Sequence, residues 1–153
     1  MEKQRYPEPT VGALIFNQDD EILLIKGKKF HDTYVIPGGH IEVGETIEEA
    51  LRREVKEETG LEIYDIQLLA LQESIFNPHY HEKRHFLYLD FTCKTNSTYV
   101  VLNEESQAYL WVALPEAFKL PLHPYTKAFL QEYIKGTMSV CRTSILFNYK
   151  TAV

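Results

Sequence analysis

The sequence predicts an α/β sandwich, a mixed β-sheet with helices on both faces. Short apolar, β-branched runs recur as candidate strands, beginning with Thr10–Phe16. Two amphipathic segments with helix-end residues stand apart from them, at 46–60 and 124–136. The two kinds of segment interleave without the regular strand–helix alternation of a doubly wound sheet, so both parallel and antiparallel pairing is expected.

Thr10 to Phe16 (TVGALIF) is apolar enough for a buried strand. Asn17 to Asp20 reads as a turn, and Glu21 to Lys26 (EILLIK) as the returning strand. Gly27 to Thr33 is a basic, polar loop. Tyr34 to Ile36 forms a short strand, and Pro37-Gly38-Gly39 should end it, since this triplet does not ordinarily continue a ladder. The clearest helix starts after Thr46, whose hydroxyl can cap it while Glu49 reaches back. Gly60 suits its left-handed end. Ile63 to Ile75 and His85 to Lys94 read as two strands joined through Phe76 to Lys83, and Tyr109 to Ala113 as a further short strand. Pro115 to Leu120 reads as a helical turn, and Pro124 to Lys135 as a final helix ending at Gly136. The tail, Thr137 to Val153, has no firm assignment, although Ile145, Phe147 and Tyr149 alternate like a strand.

A chain of 153 residues fits one domain (residues 1–153) with a core of its own, and no linker, repeat or low-complexity segment divides it. No apolar run reaches the roughly 18 residues of a membrane span, so no membrane partner is expected. The stretch Met1 to Pro9 lacks the apolar core of a signal peptide. Two cysteines, Cys93 and Cys141, make no disulfide framework, and free thiols suit the cytoplasm. The net charge of −6, without a basic run, argues against a nucleic acid polymer as partner. A small anionic substrate would then need a cation to hold it.

The helix beginning near Thr46 supplies that need. At about 100° per residue, Glu54, Glu57 and Glu58 lie within roughly 60° of one direction, together with Ile47, Ala50 and Leu51. Glu48, Glu49, Arg52, Arg53 and Lys56 lie outside that sector, with Glu48–Arg52 and Glu49–Arg53 at i,i+4 spacing. An acidic run is usually a solvated face, but such a face opposes the apolar stripe. Here three glutamates continue the stripe. Converging carboxylates repel and lose hydration, so they either take up protons or surround cations. All-oxygen ligation suits Mg²⁺ or Mn²⁺ and not zinc. Gly38-Gly39, just before the helix, allows backbone to approach a metal or phosphate closely.

The segment Gly39 to Leu61, GHIEVGETIEEALRREVKEETGL, resembles the signature of the Nudix hydrolases, Gly-x5-Glu-x7-Arg-Glu-U-x-Glu-Glu-x-Gly-U with U aliphatic. The matches are Gly39, Glu45, Arg53, Glu54, Val55, Glu57, Glu58, Gly60 and Leu61, which meet every specified position. The resemblance implies the fold of that family and an enzyme that hydrolyses a nucleoside diphosphate linked to another moiety X. It further implies Glu54 and Glu58 as principal metal ligands, with Glu57 a ligand or the base for the attacking water. The Gly39 carbonyl completes the shell, Arg53 orients a catalytic glutamate, and Glu45 braces the loop. Arg53 could instead pair simply with Glu49. Tyr34 stands where the family more often has tryptophan, implying packing or a base contact. Asn103-Glu104-Glu105 before Trp111 resembles the segment that adds a glutamate, with Glu105 favoured over Glu104.

Substrate contacts are drawn from the loop after the box, where Phe76 or Tyr80 could stack on a base and Lys83 or Arg84 could meet a phosphate. Plain loop packing is an equal reading. Lys28 and Lys29 are further phosphate candidates. His79, His81 and His85 lack a fourth ligand for zinc. Isomerisation of an isoprenoid diphosphate on the same fold needs a cysteine before the box, and the first cysteine here is Cys93. A non-catalytic nucleotide sensor would have lost box glutamates, and none is lost. A hydrolase of a non-nucleotide diphosphate remains an alternative. Dimers are frequent among similar proteins, and the apolar tail offers a homodimer interface.

Overall fold

The computed structural model describes residues 5–136. The tail expected to alternate like a strand, and any dimer contact it would make, lie outside the described residues. Eleven segments follow one another: β1 (Glu8–Phe16), β2 (Glu21–Gly27), a 3-10 turn (Lys28–Phe30), β3 (Tyr34–Val35), β4 (Gly38–His40), α1 (Ile47–Thr59), β5 (Tyr64–Ile75), β6 (His85–Lys94), β7 (Ser106–Ala113), α2 (Leu114–Ala117) and α3 (Pro124–Lys135).

The strands form one mixed sheet in the order β3-β2-β1-β6-β5, with β7 on β2 and β4 on β1. β1 and β6 run parallel over their whole length, from Glu8↔Phe86 to Phe16↔Lys94. Because strand side chains alternate, β1 feeds two cores at once. Val11, Ala13 and Ile15 pack with Leu51 and Val55 of α1. Leu14 packs with Phe129 and Leu130 of α3 and Ala117 of α2. One helix therefore covers one face and two cover the other. Among the described residues no helix is long and apolar enough to cross a membrane.

Pairing at β4 differs from the sequence expectation. Gly38 and Gly39 do not end the sheet but begin a new antiparallel strand on β1, with Gly12↔Gly38 and Val11↔Gly39 in register. The reason is space: a Cβ at Gly38 would collide with the Val11 carbonyl, so only bare backbone can lie there. β1 thus meets β2 only at Phe16↔Ile22 and takes β4 at its other end. A cleft lies along that divergence. The helix α1 begins as expected, with the Thr46 hydroxyl accepting from the Glu49 N–H and the Glu49 carboxylate accepting from the Thr46 N–H. It ends at Gly60, whose φ of 74° places it in the left-handed region.

Candidate active site

α1 aims its glutamates unequally. The buried face is centred on Ala50, Leu51 and Val55, so Glu58 falls within it and Glu57 at its edge. Glu58 is 7% exposed, and its Oε2 accepts from the Gly38 N–H at 2.9 Å. Glu54 is partly buried beneath Gly39, where a Cβ would overlap its carboxylate. The Glu57 side chain is 55% exposed and lines the same cleft. All three carboxylates expected to point inward therefore line it, Glu58 buried, Glu54 partly buried and Glu57 exposed.

Arg53 ties this helix to the preceding loop. Its guanidinium donates to both Glu45 oxygens, at 2.7 and 3.0 Å, and to the Glu54 carboxylate at 2.9 Å. It also donates to the His40 carbonyl at 2.9 Å and to Glu57 at 3.3 Å. The Glu49 carboxylate, the other partner considered for Arg53, accepts the Thr46 N–H in the capping box. The hydrogen bond to Glu45 leads the effects that raise the Arg53 pKa, so the guanidinium stays charged. Burial raises the carboxyl of Glu54 against the pull of Arg53. Burial pushes Glu58 up to about 8, with the Glu54 and Glu105 carboxylates adding repulsion and the Gly38 N–H opposing.

These groups line a cavity of about 330 Å³. Glu105 contributes from the loop before β7 and forms an ion pair with Lys29 at 3.6 Å; Glu104 does not line the cavity. Its lining also includes the aromatic residues Tyr80, Phe86, Tyr88, Phe30 and Tyr125. Tyr88 and Tyr125 stack with ring centroids 4.6 Å apart and planes 2° from parallel.

Of the substrate contacts taken from sequence, Tyr80 and Lys29 line the cavity, and Tyr34, Phe76, Lys28, Lys83 and Arg84 do not. Tyr34 packs into the α3-side core, with Lys26 5.7 Å from its ring centroid. Phe76 is 57% exposed, at a residue with φ of 52°, where the backbone closes the β5–β6 loop through its N–H to the Arg84 carbonyl. Arg84 is held by Glu8 at 3.1 Å and Glu82 at 2.8 Å. The three loop histidines part company, with His85 on Glu73, His81 against Tyr80 and His79 facing His123. Sequence reading missed Phe86, Tyr88, Asp90 and Tyr125. The signal for Asp90 was present: it is the one charged residue between Phe86 and Cys93.

The donor set fits a hard divalent cation. Glu54, Glu57, Glu58 and Glu105 line one cavity and offer it oxygen donors only, and burial raises the carboxyls of Glu54 and Glu58. Gly39 brings backbone against Glu54. Among the described residues no three His, Cys, Asp or Glu side chains are already drawn to metal-ligand spacing.

Fold and site together define a hydrolase of phosphoanhydride bonds built on a glutamate helix. The chain belongs to the NUDIX domain family, whose model matches residues 6–133. It is 35% identical over 139 residues to the nucleoside triphosphatase NudI of Escherichia coli strain K12, covering 84% of this chain and 97% of that one. Its fold is similar to the crystal structure of the MutT NUDIX hydrolase from Burkholderia pseudomallei, with a TM-score of 0.72, 27% identity, and coverage of 83% and 98%. The NUDIX domain of Shewanella oneidensis NrtR, solved in complex with ADP ribose, shares the fold with a TM-score of 0.73 at 17% identity, covering 88% and 90%.

Proposed function

We propose that the chain is a Mg²⁺-dependent pyrophosphohydrolase that cleaves a nucleoside diphosphate linked to X by attack of water on the phosphoanhydride. The nucleoside triphosphatase relatives make a nucleoside triphosphate the first substrate to test. One observation carries the reading: the Glu54 and Glu58 carboxylates line the same cavity as the rings of Tyr80, Phe86 and Tyr88, groups suited to the phosphates and the base of a nucleotide. Mn²⁺ is a suitable substitute.

A bound Mg²⁺ would supply neutralising charge for the phosphates and a lowered pKa for the attacking water. Glu54, Glu58 and Glu105 would hold it, with Glu57 and the Gly39 backbone alongside. The protein's own groups do the rest. Arg53 fixes the rotamer of Glu54 and clamps the loop through Glu45, so the carboxylates meet the substrate already oriented. Glu57, which lines the cavity with a side chain open to water, takes the proton of the attacking water. Water's oxygen bonds to phosphorus, the bridging P–O bond breaks, and the nucleoside monophosphate and phosphorylated X (or pyrophosphate) depart. Lys29 meets phosphate oxygens beside Glu105.

The test is a panel of nucleoside triphosphates, nucleotide sugars, ADP-ribose and dinucleoside polyphosphates with Mg²⁺, products resolved by chromatography. Turnover of one class is expected, abolished by EDTA. Glu57→Gln should lower kcat by roughly 100-fold or more with little change in KM, as removal of a general base does. Silence across the panel from folded protein that still binds Mg²⁺ would reject the nucleotide substrate in favour of a non-nucleotide diphosphate or a binding role.

A further inference from the structure

Among the ionisable groups of the cavity that the hydrolysis does not use is a fully buried carboxylate. Asp90, on β6, is 0% exposed yet lines the cavity beside its aromatic residues. Its Oδ2 accepts from the Gln72 amide at 2.7 Å. Its Oδ1 has no hydrogen-bond partner among the described residues. A buried carboxylate oxygen without a partner is costly, and such groups call for an explanation in what they bind.

The surroundings say which way this oxygen looks. In the parallel register Gly12 lies beside Asp90. A Cβ at Gly12 would lie 2.6 Å from Oδ1 and 3.0 Å from the Ile36 Cδ1. Glycine therefore lets Oδ1 lie directly against the β1 backbone, and Gly12 and Asp90 both line the cavity. On β6 the alternating positions Phe86, Tyr88 and Asp90 share this lining, with Tyr125 of α3 stacked on Tyr88 and Tyr80 edge-on to Phe86 at 5.0 Å. Flat π-surfaces beside two buried polar atoms without a partner among the described residues, Asp90 Oδ1 and the Thr10 hydroxyl, suit a planar heterocycle that brings one N–H to Oδ1. Stacking on aromatic rings accepts any base, so the discrimination falls to the hydrogen bond. An ionised carboxylate takes an N–H and repels a carbonyl oxygen.

We propose that Asp90 is the base-reading residue of the nucleotide site, selecting bases that present an exocyclic amino group over those that present a carbonyl at the same position. The inference rests on the cavity being a nucleotide site, and it names the part of the substrate that cavity distinguishes. Gln72 is the positioning residue: its amide holds Oδ2 and so directs Oδ1 over Gly12.

Two pairs of nucleotides exchange an exocyclic amino group for a carbonyl, CTP with UTP and ATP with ITP, and with it the adjacent ring nitrogen changes from acceptor to N–H. In at least one pair the wild-type protein should favour the amino partner by about tenfold or more in kcat/KM, since a site built around one hydrogen bond rejects its mismatch strongly. In Asp90→Asn the Gln72 amide still donates to the side-chain oxygen, which turns an NH₂ toward the cavity, so the preference should vanish or invert. Unfolding temperature checks that this variant is folded. A comparison that needs no variant uses N4,N4-dimethyl-CTP, which has no donor N–H and should lose the advantage of CTP. Equal rates within both pairs, or an Asp90→Asn protein with the wild-type ratio, would overturn the assignment while leaving the hydrolase reading intact. If nothing in the panel is hydrolysed, calorimetric binding of CMP against UMP and AMP against IMP separates the two ideas. A retained amino preference supports Asp90 as the reader without hydrolysis, and equal or absent binding rejects it.

Discussion

At the scale of single residues, Gly38 and Gly39 separate fold from chemistry. A Cβ on Gly38 would strike the Val11 carbonyl of the neighbouring strand, which cannot move without breaking the β1–β4 pairing. Gly38→Ala should therefore cost roughly 3 kcal/mol of stability, read as a large fall in unfolding temperature. A Cβ on Gly39 meets only the end of the Glu54 side chain. Gly39→Ala should shift the unfolding temperature by a few degrees at most, about 1 kcal/mol, yet reduce kcat/KM by about tenfold or more by displacing a carboxylate. Equal damage to stability in the two variants would refute the distinction. Legibility at this scale follows the same division. The helix glutamates and Arg53 were readable because their spacing on one element decides their geometry. Tyr34, Phe76 and Arg84 were misplaced because their directions depend on partners brought in from other elements: the α3 core, the loop closure and the Glu8–Glu82 pair.

At the scale of elements, α1 is the piece the sequence specifies most completely. Its cap, its apolar stripe and its Gly60 terminus are local signals, and all appear in the structure within a residue or two of the expected bounds. Thr46→Ala removes the hydroxyl that accepts from Glu49 N–H. It should cost about 1 kcal/mol in chemical denaturation and leave the slope of the denaturation curve unchanged. The strand β4 shows the opposite case. Nothing in Pro37-Gly38-Gly39 announces a strand, because its pairing is decided by how closely β1 can approach, a property of two segments and not of one. The aromatic slot was likewise hidden: Tyr88 and Tyr125 stack only because β6 and α3 meet on one face of the sheet.

At the scale of the whole molecule, burial of acidic groups makes stability depend on pH. Asp90 is pushed up to about 6 and Glu58 to about 8, in both cases mainly by desolvation. A carboxyl whose pKa is higher in the folded state binds its proton more tightly there than in the unfolded chain. Its stabilising contribution is complete below the unfolded value near 4 and is lost as pH rises through the folded one. In EDTA the unfolding temperature should therefore fall between about pH 4 and pH 8, and Asp90→Asn and Glu58→Gln should each flatten part of that decline. A flat wild-type profile would contradict the burial of both charges. Mg²⁺ should restore stability at the alkaline end, since a ligand of the folded state alone raises its population. The parallel pairing of β1 with β6 also has a consequence in time. Gly12 and Asp90 are neighbours across that pair although most of the described chain separates them in sequence. Long-range parallel pairing closes slowly, because loop entropy is lost before the contacts form. During synthesis β1 emerges early and must wait for β6, so a nascent chain halted before His85 carries the glutamate helix but lacks the strand that brings Phe86, Tyr88 and Asp90 to the cavity.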